Sequence, residues 1–229
     1  MSFDCLLKYD IIYLIKGDDT MKIELIQKDD PRLKVSCEEV VDFENKEFYQ
    51  NLINQIMDAS VNQYAFAAAA PQFGINKRFI LMISAVEKKV KNKKELEQFR
   101  AYYEVTPYFN PRITLMKGLQ YYYEACMSTG DVIGKVARPY YIELDYQDID
   151  GNHLHRSAED FEAIVFCHEI DHLDGIEFID KAENLIYDAD LEKRIEVRNK
   201  FPKEIVSKDM EFNQDNINAK VKTKVYAKR

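Results

Sequence analysis

His168-Glu169-Ile170-Asp171-His172 sets two imidazoles four residues apart. A helix advances just over one turn in four residues, so both rings project from one face and can grip one metal ion. Glu169 stands about 100° round the helix from His168. From there its carboxylate can reach water at such an ion without being a ligand, which is the position a general base needs. Two merely buried, hydrogen-bonded histidines would leave the same trace in the sequence. A catalytic centre of this kind has three protein ligands and one position open to water, and Cys, Asp, Glu or His could supply the third. Glu183, Glu192 and Glu196 follow the motif, as in sites completed by a glutamate from a later helix. The residues alone leave that choice open.

The motif lies in a stretch with the signs of a helix. Ser157 and Asp160 have capping-box spacing, Phe161, Ile164, Val165, His168 and His172 mark a face, and Gly175 supplies a stop. Ahead of it the chain reads mostly as antiparallel sheet. Lys77 to Val86, Val105 to Leu115, Gln120 to Tyr123 and Pro139 to Asp148 are rich in β-branched and aromatic residues, and Asp150-Gly151 turns the chain into Asn152 to His155. Lys22 to Ile26 alternates like a strand and is followed by a turn at Asp29-Asp30-Pro31. Phe43 to about Tyr64 has the apolar spacing of an amphipathic helix. Lys88 to Glu97 is a charged segment expected to be solvated, and a charged helix is expected from Ala189 to Lys200 before a break at Pro202.

The 229 residues, 46% of them hydrophobic, suffice for one domain with extensions. Residues 1–20 read as an N-terminal extension, with Met21 a possible start, 21–185 as the catalytic domain, and 186–229 as a charged helix and basic tail. A formal charge of -8 argues against DNA or RNA as the principal partner. Cys5, Cys37, Cys126 and Cys167 are too few and too scattered for a disulfide framework, so a reducing cytoplasm is the expectation. No stretch reads as a membrane span or a signal peptide.

Three ordered motifs resemble those of the peptide deformylases, G-x-G-L-A-A-x-Q, E-G-C-L-S and Q-H-E-x-D-H-L-x-G. Their counterparts are Ala65-Phe66-Ala67-Ala68-Ala69-Ala70-Pro71-Gln72, Glu124-Ala125-Cys126-Met127-Ser128 and Cys167-His168-Glu169-Ile170-Asp171-His172-Leu173-Asp174-Gly175. Asp30-Pro31-Arg32-Leu33, Asn110-Pro111 and Arg138-Pro139 extend the match over about Met21 to Asp180. The resemblance implies an α+β fold, with antiparallel sheets around the H-E-x-x-H helix. It also implies hydrolysis of the formyl group from N-formylmethionyl peptides. Cys126 becomes the third ligand beside His168 and His172, and the ion is one divalent metal, Fe(II) natively, with Zn, Ni or Co as substitutes.

By the same resemblance Glu169 moves the proton from water to the leaving amine, while the Gln72 amide and the Met127 backbone N–H donate to the developing oxyanion. Asp171 orients or caps. Substrate lies extended along Glu124 to Ser128 and past Ala65, Phe66, Ala67 and Ala125, with the methionine side chain near Phe161, Ile164 and Val165. Partners are nascent formylated peptides and, through the five positive charges after Asp215, ribosomal RNA.

Alanine replaces the family glycines at 65, 67 and 125 and the family leucine at 68. Glycine permits positive φ and close backbone approach, so these positions are expected to reshape or narrow the channel. Two alternatives keep the metal: a divergent amidohydrolase acting on another N-acyl peptide, and a non-catalytic module that binds peptide N-termini and has no need of Glu169. A metalloprotease would be indifferent to Cys126. Cys5, Cys37 and Cys167 read as core filler.

Overall fold

The computed structural model describes residues 23–60, 65–85 and 103–212. Among them eight strands form one sheet with every strand pairing antiparallel: β1 (Ala67–Ala69), β2 (Phe79–Ala85), β3 (Tyr103–Glu124), β4 (Val132–Arg138), β5 (Tyr141–Gln147), β6 (His153–Glu159), β7 (Glu183–Tyr187) and β8 (Glu204–Glu211). The helices are α1 (Lys46–Ser60), α2 (Asp160–Leu173), α3 (Phe178–Lys181) and α4 (Leu191–Lys200). This is the expected α+β arrangement, and α2 carries the H-E-x-x-H motif.

β3 is the spine of the sheet. Its residues pair with β2 from Tyr103 to Phe109, with β5 from Phe109 to Lys117, with β8 from Lys117 to Tyr121 and with β4 from Gln120 to Glu124. The sequence predicts two strands here, and the structure joins them. The join is Gly118, whose φ of +74° bends the chain without ending it. A Cβ at that point would stand 2.7 Å from Ser207 O and 2.6 Å from Tyr140 Cβ, so only glycine lets β8 and Tyr140 come this close. β8 itself is not foreseen by the sequence reading.

Other boundaries shift for local reasons. The described part of the Lys22-to-Ile26 stretch is not a strand. It is held instead by Ile26 N–H to Gln72 O at 2.8 Å, and just beyond it by Lys28 N–H to Ser128 O at 2.5 Å. Helix α1 begins three residues after Phe43, behind a 3-10 turn over Phe43–Asn45, and residues 61–64 lie outside the described residues. Ser157 does not start α2. It pairs with Glu143 in the β5–β6 ladder, which continues to Glu159, so helical geometry begins only at Asp160. The end of α2 is as expected: Gly175 takes φ +73°, its N–H reaches His172 O and that of Ile176 reaches Asp171 O. Residues 1–20, the Lys88–Glu97 segment and the 216–229 tail are outside the described residues.

Two cores flank the sheet. Ala163, Phe166, Cys167, Ile170 and Leu173 of α2 are buried against Ile80, Tyr108, Ile142 and Leu144. Tyr49, Leu52, Ile53 and Ile56 of α1 are buried with Phe79, Leu81 and Phe109. The first core clamps α2 to β2 and β5, leaving the side that holds His168 and Glu169 to face a cavity.

Candidate metal centre and substrate cavity

β3 ends at Glu124, and the chain delivers Cys126 two residues later, as the residue before a 3-10 turn over Met127–Thr129. Glu124 to Ser128 is therefore strand only at its first residue. Cys126 meets α2 where His168 and His172 emerge: its Sγ lies 3.2 Å from His172 Nε2, and the three donor atoms all lie within 4.8 Å of one another. One sulfur and two imidazole nitrogens bound to one ion stand roughly 3–4 Å apart in tetrahedral geometry, so the set fits a single divalent metal. Glu183, Glu192 and Glu196 are not part of this group.

A chain of buried charges orients the donors. Glu124, 3% exposed, accepts from His168 Nδ1 at 2.8 Å and takes both Nε and Nη2 of Arg138, at 2.7 and 2.9 Å. Arg138 Nη1 turns the other way to Asp171 at 2.5 Å, and Lys181 closes that end at 2.6 Å. A carboxylate on Nδ1 fixes the ring and leaves Nε2 for the ion. Burial resists charge on Glu124, but the Arg138 guanidinium outweighs it and brings the carboxyl down to about 2. Burial likewise opposes a charged His168, yet the hydrogen bonds it donates to Cys126 and Glu124 hold its pKa well above the ordinary histidine value. Burial and the neighbouring His168 push His172 well below it.

Glu169 is 6% exposed, and its Oε2 has no hydrogen-bond partner among the described residues. Burial pushes this carboxyl up to about 7, against the opposing pull of His168. Gln72 is held by its own carbonyl, which accepts from Ala69 N–H at 2.9 Å, and this points its amide at Cys126 Sγ, 3.2 Å away, and Ser128 Oγ, 3.3 Å away.

The cavity beside these groups has a volume of about 560 Å³. All the residues expected to touch substrate, Ala65, Phe66, Ala67, Glu124, Ala125, Phe161, Ile164 and Val165, line it, as does Met127. Phe161 packs edge-on against both Phe66 and Tyr122, with ring centroids 5.4 Å apart in each case. Ala65, Ala67 and Ala125 line the cavity without adopting the positive φ that glycine would permit there. Not all the substitutions face the channel: Ala68 is fully buried in the α1 core. Cys37 and Cys167 are core residues, as expected, and Cys5 is outside the described residues.

Sequence reasoning gave Glu124 only to substrate and gave Arg138 no role. It did not foresee that α4 would contribute Leu191, Arg194 and Arg198 to the cavity. Arg138-Pro139 was visible as a motif, but its partners are 14 and 33 residues away.

A helix bearing H-E-x-x-H, backed by an antiparallel sheet and met by a cysteine beside an open cavity, defines a metal-dependent hydrolase. A sequence profile of the polypeptide deformylase family matches residues 22–186. The chain is 32% identical over 161 residues to the peptide deformylase of Heliobacterium modesticaldum, covering 70% of this chain and 94% of that one. It superposes with a TM-score of 0.60 on a probable peptide deformylase from Synechococcus phage S-SSM7, at 30% identity over 69% of this chain and 99% of that one. The peptide deformylase of Thermotoga maritima gives a TM-score of 0.59 at 25% identity, covering 71% and 99%. The chain belongs to the polypeptide deformylase family.

Proposed function

We propose that this chain, a hydrolase of the family that removes the N-terminal formyl group from new polypeptides, does so with Glu169 as its proton carrier beside an ion held by Cys126, His168 and His172. The observation behind this reading is the meeting of those three donors next to a buried, unpartnered Glu169 oxygen at the edge of a cavity. When bound, the ion supplies positive charge that polarises the formyl carbonyl and acidifies water. The family resemblance points to Fe(II) as the native ion, and the mixed sulfur and nitrogen set also accepts Zn, Ni or Co as substitutes.

Glu169 takes a proton from the attacking water onto its carboxylate and passes it to the leaving amine nitrogen. A carboxyl pushed up to about 7 is matched to both halves of that task near neutral pH. Gln72 Nε2 and the Met127 backbone N–H donate to the carbonyl oxygen as charge grows on it. Phe161, Ile164 and Val165 receive the methionine side chain, and the backbone from Ala65 to Ala67 and at Glu124 and Ala125 guides the peptide. Action on new chains supports a cytoplasmic location and a contact between the 216–229 tail and ribosomal RNA. Ribosome co-sedimentation that is unchanged across a salt series when the tail is removed would sink that contact. Among the described residues no helix is long and apolar enough to cross a membrane.

The test is hydrolysis of formyl-Met-Ala-Ser by anaerobically purified, iron(II)-loaded protein, with Glu169→Ala prepared alongside and metal quantified in both. The expected result is a loss of roughly 10²–10⁴-fold in the variant at equal metal content. No turnover by metal-replete wild type would overturn the reading in favour of another acyl substrate or a binding role.

A further inference from the structure

The cavity that holds the proposed catalytic groups is walled in part by α4, which brings two arginines to it, Arg194 and Arg198. Their surroundings differ. Arg194 is paired with a carboxylate, with Nε on Ala189 O at 2.7 Å and Nη2 on Gly130 O at 2.7 Å and Asp131 Oδ1 at 3.2 Å. Arg198 gives only Nε, to Tyr123 O at 3.0 Å, and rests its guanidinium 5.1 Å from the centre of the Tyr122 ring. Among the described residues no carboxylate forms an ion pair with it, and its Nη groups have no protein acceptor. Glu124, the nearby acid whose charge reaches it, is already shared between Arg138 and His168.

Arg198 is thus a half-buried cation, fixed at Nε and by an aromatic face, with the Nη edge of its fork left over. That edge matches a carboxylate, which can take two parallel N–H bonds, better than a single carbonyl oxygen. Asp131 offsets Arg194, so the α4 wall keeps one unbalanced positive charge. In a chain of net charge -8 this is a local preference and not a general attraction for acids.

We propose that Arg198 is a specificity-determining residue: it binds an aspartate or glutamate side chain in one of the two residues after the methionine, so that peptides with acidic starts are deformylated in preference. This rests on the reading that the cavity takes the formylmethionyl end.

Formyl-Met-Asp-Ser, formyl-Met-Ala-Asp, formyl-Met-Ala-Ser and formyl-Met-Lys-Ser, all as C-terminal amides so that no other carboxylate competes, would be compared on the iron-loaded enzyme. At least one acidic peptide should show a kcat/KM about three- to fivefold above the neutral one. The gain should reside in KM and fade with added salt. Arg198→Met should erase the preference while keeping kcat on formyl-Met-Ala-Ser, and Arg198→Lys should retain part of it. Calorimetric binding of the unformylated amides Met-Asp-Ser, Met-Ala-Asp and Met-Ala-Ser gives the same comparison without turnover. If no formyl peptide is hydrolysed, the proposed function fails, and binding still decides the role of Arg198. Equal kcat/KM and equal affinity across the series, or a preference that survives Arg198→Met, overturns the inference.

Discussion

Arg138 joins Glu124, which holds His168, to Asp171 on the same helix, so one buried guanidinium steadies the His168 imidazole through Glu124 and ties that pair to α2. Removing its charge leaves two buried carboxylates without their main counter-charge. Arg138→Met is expected to lower stability by about 3–5 kcal/mol in urea titrations and to weaken metal binding roughly 10–100-fold by competition with a chelator. A second residue-scale prediction concerns Cys37, 8% exposed, whose thiol burial pushes from 9.0 up to about 12. The folded state favours the protonated thiol, so this contribution is intact below pH 9 and is lost between 9 and 12, at most about 1.4 kcal/mol per pH unit. Cys37→Ala should flatten that alkaline decline in chemical denaturation curves measured from pH 8 to 10.5. His168, Glu169 and His172 were legible because their relation is local, fixed by helical spacing. Cys126 needed the family motif. The network around Arg138 was not legible, because contacts between distant segments leave no spacing to read.

At the scale of elements, the bend at Gly118 is the most sensitive point. Alanine there would have to keep φ +74° and place a methyl 2.7 Å from Ser207 O and 2.8 Å from Lys208 O. Gly118→Ala is expected to cost about 1–3 kcal/mol, read from thermal melts, with the amides of β8 losing protection from exchange before those of β2. The central strands and α2 were readable from β-branched and aromatic density and from helical periodicity. β8 was not, since Glu204 to Glu211 is almost wholly exposed and lacks an apolar face. The true start of α2 was hidden because the β5 ladder claims Ser157 to Glu159 before any cap can form.

For the molecule as a whole, an ion that binds the folded chain and not the unfolded one stabilises it by mass action, about 2.7 kcal/mol at a hundred times Kd. Chelation should therefore lower the melting temperature, and readdition of iron(II) or zinc should restore it. Cys126→Ala should melt at the same temperature with and without chelator. The overall class was legible in the sequence, but the closing of the cavity by α4 was not, because a charged helix looks the same whether it faces water or substrate. β3 gives the assembly a further property. Its pairing with four strands means that its central amides can be released only when the sheet as a whole opens, whereas Cys126, just beyond its end, belongs to a short turn. Thr129 closes that turn on Cys126 O through its N–H and its hydroxyl, so the sulfur is presented by a local structure whose opening, and with it release of an ion, does not require the sheet to part.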